Sequence, residues 1–142
     1  MELKLTSVGD EYFSGTESDV TEILYTHSGL RIIVDTNKSQ FAPVFLEIFF
    51  RDDNGFRCLD EGDLIAYWES NEFGSGHHVY EILSGGWISG EALSSGILSV
   101  GSSINQREWL VCTSNRCVTV LSGSSPLLRE FYGNPPKGNY VG

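Results

Sequence analysis

One stretch narrows the possible folds more than any other: Leu46-Glu47-Ile48-Phe49-Phe50-Arg51, then Asp52-Asp53-Asn54-Gly55, then Phe56-Arg57-Cys58-Leu59. Aromatic and β-branched side chains suit a pleated, half-buried strand. Asn-Gly supplies the two positive-φ positions of a type I′ turn, so the pattern predicts a β-hairpin turning at Asn54-Gly55. A chain that opens with such a unit needs further strands to cover the apolar face.

Those strands are readable on both sides of it. Leu3–Val8 alternates, and Val20–His27 and Leu30–Thr36 are β-branched runs joined by a predicted two-residue turn at Ser28-Gly29. Pro43 marks the entry to a strand over Val44–Arg51. His77–Leu83, Ile97–Val100 and Glu108–Thr113 read as strands, and Cys117–Leu121 closes a second hairpin around Thr113–Arg116. Asp63 can cap a short helix over Leu64–Glu69, where a strand is the alternative, and Glu91–Ser95 fits one helical turn. Leu127–Tyr132 suits either a strand or a short helix. The expected class is mainly β: an antiparallel sheet curled or folded on itself, as a sandwich or half-barrel, with one or two short helices. Residues 1–133 are expected to form a single domain and 134–142 a flexible tail.

The chain has 142 residues, enough for a sizeable core without disulfide or metal staples. Its net charge is −10, and residues 1–72 hold 15 of the 19 acids against 5 of the 9 bases. Such a surface repels phosphates and anionic lipid and speeds the approach of a basic partner. Neither nucleic acid nor membrane is therefore expected as a partner. With no apolar signal region at Met1–Val8 and an odd count of 3 cysteines, the chain is expected in the cytoplasm.

No cofactor, metal or catalytic group is expected. Phe50–Glu61 tracks a calcium loop at Asp52, Asn54, Gly55 and Glu61, but Phe50 stands where the first carboxylate is required. His77 and His78 are adjacent, so a strand sends them to opposite faces. Cys112 and Cys117 bracket a turn, within geometric reach of a disulfide, although buried apolar roles suit both better. There is no Gly-x-Ser-x-Gly elbow, and Gly85–Gly90 lacks the Gly-Lys ending of a phosphate-binding loop.

The remaining candidate is a surface. Asp52, Asp53, Asp60, Glu61 and Asp63 are expected near one another around the hairpin, beside Tyr67, Trp68 and Phe73. An acidic rim with an aromatic anchor such as Trp68 is what a binder of a basic protein presents. The competing expectation is a small-ligand or enzymatic β-fold with a pocket lined by Trp68, Trp87, Trp109 and Tyr80.

In its size, acidity and β-rich layout, and in segments such as Phe56–Leu64 and Glu108–Cys112, the chain resembles the small cytosolic immunity proteins of bacterial polymorphic-toxin and contact-dependent growth-inhibition systems. That resemblance implies a stoichiometric inhibitor that binds and neutralises a basic toxin domain, usually a nuclease, rather than an enzyme. It implies no particular functional residue and no oligomeric state.

Overall fold

Alternation along two strands sets the architecture. Leu30, Ile32 and Val34 share one face of a strand, Leu46, Ile48 and Phe50 one face of its neighbour, and all six have no measurable exposure. Side chains two apart point the same way, so these six form a continuous apolar surface that must be covered.

The covering layer is a second sheet. In the computed structural model, which describes residues 3–9, 18–37, 41–60, 77–86 and 107–133, nine strands are present. They are β1 (Lys4–Ser7), β2 (Asp19–Thr26), β3 (Gly29–Asp35), β4 (Val44–Phe50), β5 (Asp53–Asp60), β6 (Val79–Ser84), β7 (Glu108–Val111), β8 (Arg116–Ser122) and β9 (Leu127–Tyr132). One antiparallel sheet runs β1-β6-β7-β8-β5 and the other β2-β3-β4-β9. Val79, Trp109, Val111, Val118 and Val120 of the first pack against the six residues of the second in one core. Trp109 is fully enclosed there, and its indole Nε1–H donates to the Ser122 carbonyl at 3.0 Å, which removes the cost of burying that polar atom.

The five-stranded sheet is buried on its other face too. Leu110, Cys117 and Ile82 join Leu3 in a second apolar cluster, so β7 and β8 are apolar at nearly every position.

The expected hairpin at Asn54-Gly55 is corrected. β4 ends at Phe50, the chain turns through Arg51-Asp52, and β5 starts at Asp53 in the opposite sheet. A strand has two edges, and both edges of β4 are taken by β3 and β9, so the following strand must cross to the other layer. Asn54 instead falls at an irregularity in the β5–β8 register between Asp53 and Gly55. Gly55 has φ +151° with open space around its Cβ position, so backbone conformation alone favours glycine there.

The turn after β2 is His27-Ser28, one residue earlier than expected, because Gly29 is already paired with Thr26. At φ +133° and pressed against the Phe50 carbonyl oxygen, Gly29 has no room for a Cβ. Residues 127–132 form a strand, and no helix occurs among the described residues, nor one able to cross a membrane. The expected helices at 64–69 and 91–95, the strand at 97–100 and the tail at 134–142 lie outside the described residues.

Candidate functional site

The pairing of Leu30 with Phe50 brings the β2–β3 turn alongside the crossing from β4 to β5. Between them opens a groove of about 330 Å³, lined by Tyr25, Thr26, His27 and Gly29 on one side and Arg51, Asp52, Asp53 and Asn54 on the other. Gly29 lets the two walls approach, since its missing side chain is what allows contact with the Phe50 backbone.

Its chemistry is acidic with an aromatic rim. Asp52 is exposed. Asp53 is half-buried, and burial raises the pKa of its carboxyl, partly offset by backbone hydrogen bonds from Asp53 and Gly55. Its Oδ2 is enclosed and has no hydrogen-bond partner. Tyr25 is 62% exposed, with its ring edge-on to Phe56 at 5.7 Å. A carboxylate oxygen lacking a donor, next to an exposed aromatic ring, suits a guanidinium or ammonium group that can satisfy one and stack on the other.

Of the sequence-predicted contact residues, the structure brings only Asp52 and Asp53 together. Asp60 stands at the far end of β5, about 23 Å away at 3.3 Å per residue, where it pairs in register with Arg116. The Arg116 guanidinium also lies 3.6 Å from Asp19. Glu61, Asp63 and Trp68 lie outside the described residues. Tyr25 and His27 were not anticipated, because their place beside Asp52 depends on a pairing between distant strands that no local pattern announces.

The alternative aromatic pocket does not assemble as expected. Trp109 faces the opposite sheet, whereas Tyr80 pairs with Leu110 and faces the other side. Burial lifts the Tyr80 phenol to about 12, with the Cys112 thiol adding to the rise. Trp68 and Trp87 lie outside the described residues.

The other candidates have structural occupations. Phe50, the first residue of the supposed calcium loop, is sealed in the core. His78 is buried, with Nδ1 2.8 Å from the Cys112 carbonyl oxygen, and His77 lies beside the Tyr80 ring. Among the described residues, no group of three or more His, Cys, Asp or Glu side chains could hold a metal ion. Cys58, Cys112 and Cys117 are free thiols. A hydrogen bond with the Cys117 thiol, then burial, raises the pKa of Cys112, so neither favours the reactive thiolate.

Compared with protein-family models, curated proteins and solved structures, the chain matches none.

Proposed function

We propose that this protein is a stoichiometric inhibitor of the immunity type, which binds a basic toxin domain, a nuclease above all, and blocks it sterically and electrostatically. The observation that carries this reading is the groove between the two turns. Asp53 presents an unpartnered carboxylate oxygen there, with Asp52 and the exposed Tyr25 beside it. Arg51 shares the rim, so the local field is less negative than that of the whole chain. The charge of −10 still supports attraction at long range. The same reading places the protein in the cytoplasm, where such a toxin acts.

The test is co-expression. The C-terminal segment encoded by the gene immediately upstream is expressed with and without this protein, and growth is scored. Toxicity relieved by co-expression is the expected result. Toxicity that this protein fails to relieve, or none at all, overturns the reading.

A further inference from the structure

The parity of the backbone hydrogen bonds identifies an open edge on the five-stranded sheet. The Ser122 N–H donates to the Arg107 carbonyl at 3.0 Å, so Ser122 turns its backbone groups towards β7. Orientation alternates along a strand, so Leu121, Thr119 and Cys117 turn theirs towards β5. Their register partners Gly55, Arg57 and Leu59 complete that ladder. Phe56 and Cys58 therefore direct N–H and C=O away from β8, on the side where the sheet ends and no described strand follows.

An edge like this is a template for another strand. Natural edges are commonly protected by bulges, and here the register irregularity lies between Asp53 and Gly55, leaving Gly55–Asp60 in regular register with β8. Charge selects the occupant. Asp52 and Asp53 stand at one end of β5 and Asp60 at the other, all with solvent access. The one base within the strand, Arg57, has its Nε donating to the Thr119 hydroxyl at 3.1 Å. A second copy of the chain would bring the same carboxylates against these, at −10 per copy.

We propose that the β5 edge binds an extended, basic segment of the partner as an added antiparallel strand, through the backbone groups of Phe56 and Cys58. This rests on the reading that the partner is basic, and adds the mode of capture. Asp52 and Asp53 at one end and Asp60 at the other receive its cationic side chains, while the ladder supplies affinity independent of side-chain identity.

Amide exchange followed by NMR tests it on the intact chain, using a synthetic heptapeptide that alternates Lys and Val and its Glu/Val counterpart. In the free protein, the Phe56 and Cys58 amides exchange at least about tenfold faster than those of Arg57 and Leu59. The Lys/Val peptide slows those two by about tenfold or more, and the Glu/Val peptide does not. Cys58→Ala keeps the edge N–H and retains binding. Cys58→Pro removes that N–H without removing a ladder bond, so it folds and loses binding by at least about tenfold. Slow exchange at Phe56 and Cys58 in the free protein, equal protection by both peptides, or no protection by either overturns the proposal on the unaltered chain. Protection that rises with protein concentration alone assigns the edge to self-association and also overturns it. If these tests fail while co-expression still relieves toxicity, only the strand-addition mode falls. If co-expression fails, the inhibitor reading falls on its own account.

Discussion

Glu47 and Asp53 lie six positions apart in the sequence, yet their carboxylates meet opposite circumstances. Glu47 is on the face of β4 turned away from the main core and is only 1% exposed. The Arg129 guanidinium donates to its Oε1 at 3.1 Å, and Arg31 Nε stands 2.9 Å from Oε2 in an ion pair whose angle departs from hydrogen-bond geometry. Arg31, itself buried, also lies 3.8 Å from Glu22, and Arg129 covers the Phe131 ring at 4.4 Å. Asp53 has neither arrangement: its second oxygen is enclosed without a donor, at the mouth of a groove. The same functional group is neutralised by the fold in one region and left to be neutralised from outside in the other. Charge count alone does not separate these cases; strand pairing does.

The contrast breaks most visibly at Glu47. Glu47→Ala leaves Arg31 buried without its closest counter-charge, at an expected cost of about 3–5 kcal/mol, read as a lower midpoint in urea unfolding. A loss below about 1 kcal/mol would make the network an ordinary surface pair. Next comes the wall of the groove. Gly29→Ala forces a Cβ against the Phe50 carbonyl and strains a backbone at φ +133°, an expected loss of about 1–3 kcal/mol, measured by thermal melting.

A pH series sharpens the difference without mutation. The Tyr80 phenol is raised to about 12, so the folded chain holds that proton more tightly than the unfolded chain. Its contribution to stability is complete below the unfolded value of about 10 and is lost as pH rises through about 12. Phenolate absorbance from Tyr80 should therefore develop together with alkaline unfolding, and its appearance in a fully folded protein near pH 10 would contradict the burial assigned to it.

The smallest effect on stability is expected at Asp53. Its raised carboxyl favours the folded state at acid pH, and that contribution disappears as pH rises through the folded value. Asp53→Asn should remove this dependence and leave the neutral-pH protein slightly more stable. Urea unfolding at acid and neutral pH checks it: an unchanged pH profile, or a variant markedly less stable at neutral pH, would place Asp53 with Glu47.

Much of the β framework is legible in the chain. Leu30–Thr36, Val44–Arg51 and Cys117–Leu121 read as strands because apolar, β-branched residues dominate them, and the Thr113–Arg116 turn has only one pairing to make. Asn54-Gly55 misleads because positive φ at glycine serves a register irregularity as well as a type I′ turn; the edges of β4 decide between them, and those are filled by residues far away in sequence. Arg31 and Glu47 read as solvent-facing positions, since alternation says which face a side chain takes but not whether that face is covered. Asp52 and Asp53 were legible as an accessible acidic turn. Asp60 was misplaced with them because a hairpin was assumed where the chain instead runs straight along β5. Tyr25 and His27 were invisible as site residues, being joined to Asp52 only through the β2–β3–β4 ladder.

The measurement that reaches the central claim most directly pairs two readouts on one variant, Asp52→Lys combined with Asp53→Lys. Urea unfolding reports the fold, and relief of the co-expressed upstream product's toxicity reports the groove. The account predicts stability within about 1 kcal/mol of the parent together with loss of protection. Retained protection in a stably folded variant, or collapse of the fold, would contradict a groove whose carboxylates are held open for a basic partner.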